Sequence, residues 1–350
     1  MLKLLIKNSD GVYDISQLVS QINWSGDYQQ CARTLSFGLL SSPTDKSIPV
    51  VKCDLGNAVT LMQDNRILFE GFVFERSKST ASSTIDVTCF DRGIYLKRNR
   101  ASYKFTNQTT EAIAKRVCSD FGITVGELVS TGVKISRNFL GVTLYDIIQT
   151  GYTIAAEKTK KKYHISFKGA SLNVLEKKVT DETLVIEGGS NLIDASTTDS
   201  ITNMVNQVAI YDKNDKLIRR LKDDEAIKLY GLMQEYIKQP DGSDAGLKAQ
   251  KLIDDNGVQQ KITVNNLGNV ANITGGAVVV REPYTGLYGL FYIESDVHTW
   301  KNGLYLNKLV LNFKNIMDEK EAGSLPNKTG SKTAGAAGSS WAYTNKPGGD

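Results

Sequence analysis

The chain is poor in histidine, carrying only His164 and His298 among 350 residues, and that scarcity narrows its chemistry. Each lies in an alternating apolar pattern that reads as a strand, and no nucleophile-elbow motif accompanies either, so both are expected to be strand-face histidines. Ser-His-Asp and Cys-His catalysis are therefore not expected. No set of His, Cys, Asp and Glu has the spacing of metal ligands, and neither a metal nor another cofactor is expected. The four cysteines, Cys31, Cys53, Cys89 and Cys118, stand far apart. That spacing fits neither a zinc knuckle nor a disulfide framework, and it reads as buried or half-buried thiols of a reducing compartment. Long apolar runs are missing too. The opening Met1-Leu2-Lys3-Leu4-Leu5-Ile6-Lys7 is too short for a signal h-region and turns at Asn8-Ser9-Asp10-Gly11, so no N-terminal secretion signal and no direct membrane insertion are expected. A formal net charge of +4, with acids and bases interleaved, gives no strong global field for nucleic acid.

What the sequence does contain is a pattern used twice. Gly56, Ala58, Val59 and Leu61 open a strand that turns at 63–66 and returns as Leu68 to Glu75. Gly275, Ala277, Val278 and Val280 open another that turns at 282–286 and returns as Leu287 to Glu294. An alternating strand follows each, with Ile85, Val87, Cys89 and Phe90 in the first and Leu309, Leu311 and Phe313 in the second. This predicts a duplicated barrel or sandwich with other material between the copies.

The fold class expected is α+β, mainly β, with two related β-barrel domains flanking a small α+β domain. Residues 1–100 read as the first barrel, without a convincing helix. In 101–199, Ile113, Val117 and Phe121 recur at helical spacing before Gly122, which suits the residue just past a helix end. Thr143, followed by Asp146, marks the start of a second helix with Leu144, Ile147, Ile148, Gly151 and Ile154 inward. A hairpin then turns through 168–171. The second barrel is expected over 200–318, with a helical insertion at 223–257. In that insertion Ala226, Ile227, Tyr230, Met233 and Ile237 would share one helix face, and Ser243 would cap a second helix. Asn302-Gly303 signals a two-residue hairpin. Residues 319–350, rich in Gly, Ser, Thr, Ala and Lys, read as a flexible tail.

Chemistry-bearing candidates are few. Asp223-Asp224-Glu225 opens a helix and Asp254-Asp255 closes one, positions that suit helix ends as well as an active-site pair. Gly188-Gly189 and Gly275-Gly276 lack the strand-loop-helix context of a phosphate cradle. The run Lys158, Lys160, Lys161, Lys162, with Tyr163 beside it, reads either as a partner-docking patch or as a solvated helix end. Trp341 and Tyr343, alone in a polar tail, read as a docking peptide or as the end of a linker.

Several short motifs together resemble the baseplate hub proteins of contractile phage tails and phage-tail-like particles, in particular their XkdQ/YqbQ-like group. They are Trp24-Ser25-Gly26-Asp27 with Ala32-Arg33 and Leu35, Asp91-Arg92 with Tyr95-Leu96 and Asn99, and Asp120-Phe121-Gly122-Ile123. Leu144 to Ile148, Met204-Val205-Asn206, Tyr230-Gly231 and Ser295-Asp296-Val297-His298 complete the set. The resemblance implies a non-enzymatic structural hub, made in the bacterial cytoplasm and then built into the baseplate. Three copies would form a ring whose six barrels match the sixfold tail tube and whose other end holds the threefold central spike. The implied partners are a homotrimer, the tube protein, the spike protein and other baseplate proteins, with no small-molecule substrate. Two other classes stay open: a tail-tip cell-wall hydrolase using Asp223 and Asp224, and a glycan- or nucleic-acid-binding β-module using Lys158 to Tyr163.

Overall fold

Strict alternation drives the first sheet. In β1 (Leu2–Asn8), Leu4 and Ile6 are buried while Lys3 and Lys7 face solvent, the period-2 pattern of a half-buried strand. The computed structural model describes every residue except 43, 44, 46, 81, 180–182, 240–243 and 327–350. After β1 come β2 (Gly11–Asp14), a single 3-10 turn at Ser16–Leu18, β3 (Val19–Asp27), β4 (Thr34–Leu40), β5 (Ala58–Gln63), β6 (Arg66–Lys78) and β7 (Thr84–Asp91). Asp64 and Asn65, both at positive φ, make the two-residue turn between β5 and β6.

The middle of the chain changes period. It holds α1 (Gly93–Arg98), β8 (Arg100–Thr109), α2 (Thr110–Asp120), β9 (Thr124–Leu128), β10 (Lys134–Thr143), α3 (Leu144–Thr159), β11 (Tyr163–Lys168) and β12 (Ser171–Glu176). Thr143 caps α3 by accepting from the Asp146 amide, as its sequence position suggested. Leu144, Ile147 and Ile148 are buried beneath α3, each worth about 2 kcal/mol relative to exposure. α1 was not anticipated. Its single turn is anchored by Asp91, whose carboxylate accepts the Gly93 amide, and by buried Leu96.

Then follow β13 (Leu184–Glu187), β14 (Leu192–Ser200), β15 (Gln207–Tyr211), β16 (Leu217–Lys222), α4 (Asp224–Tyr230), β17 (Gln234–Lys238), α5 (Gly246–Asp255), β18 (Gln259–Leu267), β19 (Ala277–Glu282), β20 (Leu287–Lys301) and β21 (Leu304–Asn312). The expected helical insertion is only partly helical. α4 ends at Gly231, which takes a positive φ, and the chain beyond it pairs in parallel with β15 as β17. Met233 and Ile237 therefore leave the helix face predicted for them. Ile237 instead joins Val208 and Ile210 in a small core covered by Ala249 and Ile253 of α5. The α5 cap expected at Ser243 lies outside the described residues.

The duplication is written in the ladders. Six strands of the first half are ordered β3-β4-β7-β6-β5-β1, and six of the second β14-β18-β21-β20-β19-β13, the same permutation of chain order. Bulges recur at the same places, between Val73 and Glu75 on β6 and between Ile293 and Ser295 on β20. A second matched pair interrupts β3 after Val19 and β14 after Leu192. The correspondence corrects the alignment read from sequence, which set Glu75 against Glu294. The bulged residue on β6 is Phe74 and on β20 Glu294, because the two hairpins differ by one residue between Ala58↔Phe72 and Ala277↔Tyr292. One pairing differs in sense: β1 runs antiparallel to β5, whereas β13 runs parallel to β19. No ladder among the described residues joins β1 to β3 or β13 to β14. The structure is mainly β, 51% strand and 17% helix.

The chain beyond β21 corrects the expectation of a tail that is free from 319 onward. Asp318 is buried, the Lys320 and Ala322 amides donate to Thr153 and Thr150 of α3, and Ser324 bridges Asn138 of β10 at 2.8 Å in both directions. Backbone groups, which a composition reading ignores, hold residues 318–324 as a strap.

Candidate functional site at the seam of the two sheets

The two strand sets meet where β20, after its bulge, turns its free edge to β3. Asp296 faces Gly26 and His298 faces Trp24 across this ladder. Arg33, just before β4, reaches into it. Both Arg33 Nη atoms donate to Asp296, Nη1 to Oδ1 at 3.0 Å and Nη2 to Oδ2, and the guanidinium lies 4.0 Å over the Trp24 ring. Only glycine fits beside this fork, since a Cβ on Gly26 would meet Arg33 Nη1 at 2.3 Å.

Asp296 is saturated. It also accepts the Thr274 amide at 2.6 Å and the Thr274 hydroxyl at 2.7 Å, and His298 Nε2 lies 3.2 Å away. Burial pushes its carboxyl up, but the Arg33 charge together with hydrogen bonds from His298 and Arg33 outweighs burial and holds it below the usual carboxylate range. Asn307 fixes the proton on His298. Its Oδ1 accepts from the Asn269 amide and Asn272 Nδ2, so its Nδ2 points at His298 Nδ1, 2.8 Å away. Nδ1 is thus an acceptor and Nε2 the donor, its N–H shared between the Asn272 carbonyl at 3.1 Å and Asp296 at 3.2 Å. Trp300 and Tyr305 stack 4.4 Å apart beside this ring. With its lone pairs engaged and its surface closed, the Asp296 carboxylate fixes strand geometry. Asp91 secures the other end of Arg33. Its oxygens accept the Arg33 and Gly93 amides, while burial, only partly opposed by these bonds, pushes its pKa up to about 6.

A second polar cluster lies where the strap, α3 and β11 converge. Lys177, buried, donates to the Ile316 carbonyl at 2.6 Å, and burial brings its pKa down to about 8. His164 is brought down to about 4, first by burial and then by Lys177 and Arg33. Tyr145 donates to Asp318 at 2.8 Å.

The candidates read from sequence do not gather at one place. Lys158 ends α3 and Lys160 takes the left-handed cap. Lys161 pairs with Glu176 and Lys162 with Glu319, each at 2.9 Å. Tyr163 is buried, its hydroxyl 2.9 Å from Thr159, so it cannot belong to a surface patch. Trp341 and Tyr343 lie outside the described residues. Asp223 caps α4 through the Ala226 amide, and Asp224 pairs with Lys222 at 2.7 Å. Among the described residues no group of His, Cys, Asp and Glu is placed to hold a metal ion, and no helix is long and apolar enough to cross a membrane. All four cysteines are buried and free. The seam itself unites motifs noticed separately in the sequence, Trp24 to Asp27, Arg33, Asp91 and Asp296 to His298. Their mutual contact had no local signal, with Arg33 and Asp296 separated by 263 positions.

The fold so built is that of the phage tail proteins. The chain is similar to the 43 kDa tail protein of prophage MuSo2 from Shewanella oneidensis, with a TM-score of 0.67 and 16% identity over 88% of this chain and 97% of that one. It is similar also to a tail protein from Neisseria meningitidis MC58, with a TM-score of 0.61 and 14% identity over 89% of this chain and 96% of that one. The chain belongs to the YQBQ-like family, whose model matches residues 22–312 and so spans both sides of the seam. Among curated proteins it is 23% identical to the phage-like element PBSX protein XkdQ of Bacillus subtilis (strain 168), over 90% of this chain and 98% of that protein.

Proposed function

We propose that this chain is the structural hub of a contractile-tail baseplate, a threefold ring that adapts the sixfold tail tube to a threefold central spike. The two strand sets are two related barrels, the first within residues 1–100 and the second built from β13, β14 and β18 to β21, so that it begins at Leu184 and not at 200, and three copies present six similar lobes to the tube. The α+β part, which ends with β12 at Glu176, and the small unit of α4, α5 and β15 to β17 extend toward the spike and other baseplate proteins. Lys158, Lys160, Trp341 and Tyr343 are candidates for those contacts. The function is assembly, not turnover.

One observation carries this reading: the two halves share strand permutation and bulge positions. A chain with one sheet unit would give a ring of three equal lobes, whereas a duplicated one can mimic sixfold symmetry with three copies. The test is native mass, alone and with the candidate spike, together with end-on electron-microscope averages of the complex. A threefold ring with six similar lobes is expected. A monomer in both samples, absent from assembled tails, overturns the proposal.

A further inference from the structure

A chain that repeats its strands should repeat its joints. The ladders make β14 the counterpart of β3 and β6 the counterpart of β20. Within the chain, β20 after its bulge joins β3. The counterpart joint, β6 after its bulge against β14, is not made within the chain. Among the described residues β14 pairs on one side only, with β18, and Glu75 to Lys78 pair on one side only, with β7. Both edges face outward: the last five residues of β6 are all exposed, and β14 has no fully buried residue. Long unpaired edges are templates for another strand.

We propose that this joint forms between copies, β14 of one chain adding antiparallel to the second half of β6 of the next. The inference rests on the ring reading above and names the surface that closes the ring. Its register follows from the internal joint. Arg76 sits opposite Val87 as Asp296 sits opposite Leu309. Thr197 sits opposite Ile262 as Trp24 sits opposite Leu35, which makes Asp199 the counterpart of Gly26. The internal pair Asp296↔Gly26 thus becomes Arg76 against Asp199, and Val297↔Ser25 becomes Ser77 against Thr198.

Charge agrees with this register. β14 carries Asp194 and Asp199 and no cation, while the end of β6, Glu75 to Lys78, carries one acid and the two bases Arg76 and Lys78. At the internal joint an acid of β20 meets Arg33; at the joint between copies a base of β6 meets an acid of β14. In the free chain Arg76 pairs with exposed Asp54 at 2.6 Å, a surface contact cheap to exchange. Every copy offers one β14 and one β6, so the contact is head-to-tail, the kind a closed ring of identical copies requires. Trp24 has only Thr197 as its counterpart, so this joint lacks the internal seam's arginine-aromatic stack and is the more readily dissociated of the two.

Two cysteine pairs in the full chain test the register: Ser77→Cys with Thr198→Cys, and Arg76→Cys with Asp199→Cys. Adjacent antiparallel pairs alternate in spacing, and the closer kind lies within disulfide reach. Oxidation in solution and in assembled particles is expected to give covalent trimers for at least one pair, and none for Ser77→Cys with Ser196→Cys. Arg76→Glu should weaken association about tenfold, and Asp199→Arg in the same chain should restore it, which separates a lost contact from misfolding. Trimers of native mass in particles without cross-links in either pair overturn the joint and leave the ring intact. Monomers throughout overturn both.

Discussion

At the scale of single residues, the molecule sets two titrating groups against each other, half-buried His164 and buried Asp91. His164, brought from 6.5 to about 4, stays neutral in the folded state while the unfolded chain takes up a proton. The stability it confers is present above pH 6.5 and is lost as pH falls toward 4, about 3 kcal/mol in all. Asp91 acts with the opposite sign. Its carboxyl, raised from 3.8 to about 6, favours folding below pH 3.8 and loses that benefit as pH rises through 6, again by about 3 kcal/mol. The two nearly offset across the same window. His164→Gln should therefore unmask Asp91. The stability of the variant relative to the parent should improve by about 3 kcal/mol between pH 7 and pH 4, read from denaturant midpoints at several pH values. A difference independent of pH would mean that His164 titrates freely in the fold.

At the scale of elements, legibility depended on whether the signal was local. The Thr143 cap, Gly122 after α2 and the Asn302-Gly303 turn, with both φ values positive, are decisions made within four or five residues, and the sequence carries them openly. The end of α4 was not legible. Leu229, Tyr230 and Met233 keep a helical spacing, and it is the parallel pairing of Gln234–Lys238 with β15 that draws the chain out as a strand. The strap was hidden for a different reason. Its attachments are mostly backbone amides and carbonyls, common to every sequence, so its composition looked like a linker. Its sharpest backbone requirement is Gly323, at φ +75 and with the place of a Cβ only 2.4 Å from the Asn138 carbonyl oxygen. Gly323→Ala should cost about 2 kcal/mol and release the strap locally. Hydrogen exchange should then speed up at the Lys320, Ala322 and Ser324 amides. Unchanged protection there would show that the Asn138 bridge does not hold the strap.

At the scale of the whole molecule, β20 decides how the parts act together. The first and second strand sets have separate apolar cores, one built around Leu4, Leu35 and Leu61, the other around Val264, Val280 and Leu309. Separate cores would unfold separately unless something joined them. The ladder from Ser295 to Lys301 along β3 joins them, and Arg33 clamps it by holding Asp296. The sequence showed the duplication because each copy repeats its own local alternation. It did not show the clamp, because residues so distant in the chain leave no mutual pattern in a single sequence. Arg33→Ala would leave the Asp296 carboxylate buried without its cation, at a cost of about 3 to 5 kcal/mol. That loss falls on the joint and not on either core. Calorimetry of the parent should therefore show the two strand sets melting in one transition, and the variant should show two, with the individual melting enthalpies conserved in sum. Asp296→Asn, which keeps an acceptor for Thr274 but removes the charge, should fall between them. A single transition in Arg33→Ala, merely moved to lower temperature, would mean that the backbone ladder alone couples the halves and that the Arg33 fork only tightens it.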